Sequence, residues 1–188
     1  RKIGNDAFTF PIGDGGYYSP VSISAPTTST HHFTAMYNHT NPDPTYNRDS
    51  KDVTIDHISR REYWMLDRTN GTSNVSVTLS WGDVSKSGGV TLLSDLRVAR
   101  WNGSLWQDYG NGGTTGNTSA GTVVTNGVVT SFSPFTLSSA TEENPLPVTL
   151  ISFDAQPNNT QVALSWIVAA EVNNDYFTIE KSKDGKEF

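Results

Sequence analysis

The sequence predicts an all-β fold, and three observations carry that prediction. Apolar residues recur with period two along most of the chain and nowhere sustain a helical stripe. Sixteen Gly, nine Pro and frequent Ser, Thr and Asn separate short β-forming runs. Asn102–Gly103 and Asn126–Gly127 each stand between β-formers, and Asn-Gly tolerates the positive φ angles that two-residue hairpin loops require. Together they predict a β-sandwich of jelly-roll or immunoglobulin-like type over residues 1–140.

Taken in order, the expected strands are AFTFPI (7–12), PVSISA (20–25), HFTAMYNH (32–39), SRREYWMLDR (59–68) and NVSVTLSWG (74–82). DLRVARW (95–101), SLWQDYG (104–110), GTVVT (121–125) and VVTSFSPFTLSS (128–139) follow. The clearest interior stripe is Val75, Val77, Leu79 and Trp81, with Ser76, Thr78 and Ser80 on the opposite, wet face. GDGG at 13–16 has no following helix pattern, so it reads as a tight turn between the first two strands and not as a phosphate cradle. Trp64, Trp81 and Trp166 are assigned to cores.

The pattern changes at SSATEENPLPVTL (138–150), where two acids and two prolines interrupt it. Proline removes ladder donors and stiffens extended chain, so residues 141–147 read as a linker. PVTLISFDAQ, TQVALSWIVA and NNDYFTIEKSKDG then supply two alternating strands and the start of a third. Residues 148–188 are expected to be the first half of a fibronectin type III or immunoglobulin-like module. Asp184–Gly185 reads as a hairpin turn whose returning strand stops after Phe188, so this module is expected to be a truncated piece of a longer polypeptide.

Composition restricts partners. Net charge is −6 and no Lys/Arg cluster interrupts the acidity, so nucleic acid is not an expected ligand. No apolar run approaches the roughly 20 residues of a membrane-spanning helix, so membrane insertion is not expected either. The absence of cysteine excludes disulfides, thiolate metal sites and thiol catalysis. Hydrolase motifs are missing as well: there is no G-x-S-x-G elbow, no H-E-x-x-H and no Walker loop.

Two groups of residues are candidate sites. Across the Asn102–Gly103 turn, Trp101 and Trp106 share a face with Arg97 and Asp108. Indole faces flanked by hydrogen-bonding groups suit the stacking of sugar rings, and the alternative is that both rings cover a core or a contact with a neighbouring module. The irregular segment 41–57 carries Asp43, Asp49, Asp52 and Asp56, hard oxygen donors that suit calcium, or else form a solvated acidic loop. Glu62, beside Arg60 and Arg61, reads as a surface ion-pair partner, and His31, His32, His39 and His57 show no ligand spacing.

RKIGNDAFTFPIGDGGYYSPVSISAP, EYWMLDRTNGTSNVSVTLSW, SDLRVARWNGSLWQDYGN, SFSPFTLSS and NPLPVTLISFDAQ…VALSWIVAAEVNNDYFTIEKSKDGKEF together resemble a known region. It is the β-sandwich region upstream of the sorting domain in multidomain surface and secreted proteins exported by the type IX secretion system. The resemblance implies a bacterial, extracellular, non-catalytic module without a cofactor, whose partners are the neighbouring domains of the same polypeptide. A spacer that presents a passenger domain and links it to a C-terminal sorting signal is the expected function. A carbohydrate-binding or adhesion module, calcium-dependent or not, is the alternative, with a polysaccharide as partner.

Overall fold

The structure is a computed structural model that describes residues 1–144, 150–158, 161–168, 178–179 and 182. It is all-β, and the chain divides into two compact units, Arg1–Leu146 and Pro147–Phe188. In chain order the strands are β1 (Lys2–Ile3), β2 (Phe8–Phe10), β3 (Gly13–Asp14), β4 (Tyr17–Tyr18), β5 (Val21–Ile23), β6 (His32–Asn38), β7 (His57–Ile58) and β8 (Tyr63–Asn70). They continue with β9 (Val77–Trp81), β10 (Leu96–Trp101), β11 (Trp106–Asp108), β12 (Thr114–Asn117), β13 (Ala120–Val124), β14 (Phe135–Ser139), β15 (Leu150–Asn158) and β16 (Gln161–Val168).

In the first unit, one sheet runs β1-β6-β8-β14-β10-β11, with β7 also paired to β14, and the other runs β12-β13-β9-β5-β2. Their inner faces meet in one core. Phe33, Tyr37, Trp64, Leu66, Val98, Phe135 and Leu137 come from the first sheet, and Phe10, Val21, Ile23, Val77, Leu79, Trp81 and Val123 from the second. The stripe Val75, Val77, Leu79 and Trp81 is buried throughout, because period two puts all four on the inner face. GDGG forms the turn of the β3–β4 hairpin, with Gly15 and Gly16 at positive φ.

Some expectations are corrected. Asn102–Gly103 does close the β10–β11 pair, where Trp101 sits opposite Trp106. Asn102 Oδ1 accepts the Ser104 and Leu105 amides, both at 2.9 Å, and Gly103 has φ 106°. Asn126–Gly127 turns the chain but joins no paired strands, since β13 pairs with β12 and β9 while β14 belongs to the other sheet. The local turn chemistry is right and tertiary packing chooses the partners. The strand expected over 128–139 is regular only from Phe135, after Pro134, which has no amide to donate.

Among the described residues a short α-helix, α1 (Val84–Ser87), and a 3-10 turn, Leu93–Asp95, interrupt the β architecture. Asp83 caps α1 through Oδ1, which accepts the Ser85 and Lys86 amides at 3.0 and 3.1 Å, and Gly88 ends it with φ 86°. No helix among the described residues is long and apolar enough to cross a membrane.

In the second unit, β15 and β16 form an antiparallel pair in which Phe153, Ala155 and Pro157 face Trp166, Leu164 and Val162. Trp166, expected in a core, is 36 % exposed on this hairpin, and Phe153 is 56 % exposed. The linker prolines Pro145 and Pro147 and the Asp184–Gly185 turn lie outside the described residues.

Candidate functional site

Residues 41–57 lie over the outer face of the first sheet and are tied there by main-chain bonds. Trp106 donates its amide to the Ser50 carbonyl at 2.8 Å and accepts the Asp52 amide at 2.9 Å, so Lys51 bridges the edge strand β11 in parallel. Beneath the segment, Ile55, Ile58, Ala99 and Trp106 make a second, smaller core with Tyr46 and Trp101 packed against it.

This cover corrects the expected sugar platform. Trp101 and Trp106 do share a face, but Trp106 is 0 % exposed and the two rings meet edge to face, 5.7 Å apart at 65°. Two-ring stacking needs open, roughly coplanar indoles. Trp106 is instead the floor of an aromatic cluster, in which Tyr46 stands 6.1 Å from Trp106, 6.0 Å from Trp101 and 5.6 Å from Tyr63. Trp106 Nε1 donates to the Tyr46 carbonyl, and the Tyr46 hydroxyl points at Met65 Sδ, 3.8 Å away. Tyr46, Tyr63 and Trp101 remain half-buried, so one side of the cluster faces solvent. Arg97 and Asp108 serve their own turns: Arg97 Nη1 donates to the Ser94 and Leu96 carbonyls, and Asp108 Oδ1 accepts the Gly110 amide.

The four aspartates of the loop are engaged separately. Asp43 accepts the Arg48 amide at 3.0 Å and pairs with its guanidinium at 3.3 Å. Those contacts, the amide bond foremost, hold its carboxyl below the usual range. Asp52 Oδ2 accepts the Asp108 amide at 2.8 Å, and Asp56 Oδ2 pairs with His57 Nδ1 at 2.8 Å. Asp49 lies within electrostatic reach of Arg60. Among the described residues no three His, Asp or Glu side chains converge in a group able to hold a metal.

Sequence reasoning missed two clusters. Glu62 is not a surface residue; it is 0 % exposed, and its Oε2 accepts the Tyr37 hydroxyl at 2.7 Å. Burial pushes its carboxyl up to about 7, although Ser87, Lys86 and Tyr37 pull the other way. Lys86 is itself buried, which lowers its ammonium pKa against the opposing charges of Glu62 and Asp83. Period two contained the signal, since Glu62 has the parity of Trp64 and Leu66 and must point inward with them.

The second missed cluster surrounds Asn144, at the exit of the first unit. Asn144 is buried and left-handed (φ 57°). Its Oδ1 accepts the Thr91 and Leu92 amides, both at 2.8 Å, and its Nδ2 donates to the Ser139 hydroxyl and the Leu92 carbonyl. Its amide donates to Thr91 Oγ1, and its carbonyl lies 3.0 Å from His57 Nε2. His57, Ser59, Ser87, Ser138, Ser139 and Asn144 line a cavity of about 20 Å³ there, room for about one water and for no organic substrate.

No family model, curated protein or solved structure matches this chain.

Proposed function

We propose that the chain is a non-catalytic structural module of a larger secreted or cell-surface polypeptide. It acts as a spacer that holds a passenger domain at a distance and hands the chain on towards a sorting signal. The observation that carries this reading is the anchoring of Asn144. A spacer transmits load from the chain that leaves it into its own core. Asn144 does this through bonds that reach Thr91 and Leu92, Ser139 on β14 and His57 on β7. One main-chain segment, Thr91–Leu92, and two strands therefore share any pull, in place of one strand being peeled away. The resemblance to type IX-exported proteins supports the same reading, and in it β15 and β16 open a fibronectin-like module.

The test is to pull on the tethered chain. The first unit should open in one step, lengthening by roughly 480 Å at about 3.4 Å per residue. Asn144→Ala should lower the opening force while leaving that length unchanged. Gradual unravelling from residue 144 at low force in the unaltered chain would overturn the reading, as would turnover of a glycoside, ester or peptide substrate.

A further inference from the structure

We infer that Asn102, at the tip of the β10–β11 hairpin, is a self-modifying residue, whose side-chain amide the folded turn converts to aspartate and isoaspartate through a cyclic imide. The reaction is independent of the spacer reading and stands or fails separately from it.

The step asks three things of an Asn-Gly pair: a glycine nitrogen free to attack, a side-chain carbonyl held beside it, and donors for the charge that develops on the carbonyl oxygen. Asn102–Gly103 has all three. The Gly103 amide donates to no acceptor among the described residues, and a Cβ placed on Gly103 would meet nothing within 4 Å, so base from solvent reaches this nitrogen. Asn102 Oδ1 accepts the Ser104 and Leu105 amides, both at 2.9 Å, and the bond to Ser104 closes a ring that contains both Asn102 Cγ and the Gly103 nitrogen. The attacking and accepting atoms are thereby kept side by side.

Hydroxide removes the Gly103 amide proton, the nitrogen bonds to Asn102 Cγ, and the carbonyl electron pair moves onto Oδ1, where two amides already stand to stabilise it. As that pair returns, the Cγ–Nδ2 bond breaks and ammonia leaves with a proton from water. Water then adds to either carbonyl of the imide: opening at Cγ gives aspartate, and opening at the main-chain carbonyl gives isoaspartate, whose backbone runs through Cβ and Cγ. Water is consumed, ammonia is released and nothing is oxidised. The isoaspartate form lengthens the main chain inside the turn that sets Trp101 opposite Trp106, and both products add a negative charge there.

The chain has three other Asn-Gly pairs, and each lacks part of this arrangement. Asn111 Nδ2 donates to the Leu93 and Leu96 carbonyls at 3.1 and 2.9 Å, and the Gly112 amide is bound to the Val124 carbonyl at 2.8 Å. Asn70 Nδ2 donates to the Thr30 carbonyl at 2.9 Å, and the His31 ring fills the space beside Gly71. Asn126 is exposed, but no donor among the described residues reaches its Oδ1, and the Gly127 amide is bound to the Thr125 carbonyl at 2.9 Å. Local sequence offers four candidates and the fold selects one.

The test ages the unaltered, folded chain in mildly basic buffer made with heavy-oxygen water, then maps the four Asn-Gly peptides by mass spectrometry and isoaspartyl methyltransferase labelling. Asn102 should convert at least about tenfold faster than Asn70 and Asn111, and ahead of Asn126, to a mixture of aspartate and isoaspartate carrying heavy oxygen. Hydroxylamine should trap the imide at residue 102. In urea the four rates should draw together, because the turn that distinguishes them is gone. Another Asn-Gly pair leading in the folded chain, the same spread of rates in urea, or aspartate at residue 102 without isoaspartate, the mark of direct hydrolysis, would each overturn the proposal.

Discussion

Glu62 shows how one side chain sets the acid response of the fold. Its carboxyl has an ordinary value of 4.5 and titrates at about 7 in the native state, so the folded protein holds this proton more tightly than the unfolded chain. The sign follows from linkage: between pH 4.5 and 7 the unfolded chain ionises while the native state does not, so stability falls as pH rises through that window. The contribution is full at the acid side and is lost by about pH 7, amounting to about 3 kcal/mol. Thermal melts should therefore show a component that declines across this range, and Glu62→Gln should flatten it and be the more stable protein at pH 8. A Glu62→Gln profile parallel to that of the parent would show that Glu62 ionises freely in the native state. The misreading of Glu62 is instructive, because the neighbouring arginines suggested a surface pair although the parity of Trp64 and Leu66 already pointed the carboxyl inward.

At the scale of elements, the loop 41–57 behaves as a strap made by its own main chain. Asp52 contributes an amide to Trp106 and a carboxylate to the Asp108 amide, and both bonds fasten the strap to β11. Asp52→Ala should cost about 1–3 kcal/mol, the usual effect of leaving a partly buried amide without its acceptor. Melting curves of the parent in chelator and in millimolar calcium should superimpose, because the four aspartates are engaged one by one; a calcium-dependent rise that Asp49→Ala or Asp52→Ala removes would restore a shared site. Alternation made the interior stripe 75–81 legible, and Asn102–Gly103 marked a true hairpin. The strap was not legible as a cover for Trp106, because irregular segments have no period and their docking depends on contacts far away in sequence. β12 escaped for a related reason: Thr-Thr-Gly-Asn is an exposed strand with no apolar alternation to announce it.

For the whole molecule, the division at Leu146–Pro147 matters most. The core described for the first unit is drawn from Phe10 to Leu137, and its last anchor is Asn144. Residues 1–146 expressed alone should therefore melt in one cooperative transition within a few degrees of the main transition of the full chain. A lost or much broadened transition would mean that the second unit supplies part of the first unit's stability. The two-sheet architecture was readable because it follows from period two and turn chemistry. The Asn144 anchor was not, because nothing around an Asn that precedes proline reveals bonds to residues some 50 positions earlier.

The strap over β11 also governs how neighbouring copies behave when crowded. A bare sheet edge is a template onto which another chain can add a strand, and repeated addition grows fibres. Here the edge at β11 already has Ser50 and Asp52 bonded to Trp106, and the opposite edge of that sheet, β1, is only two residues long. Molecules packed side by side thus find little on this sheet to polymerise upon.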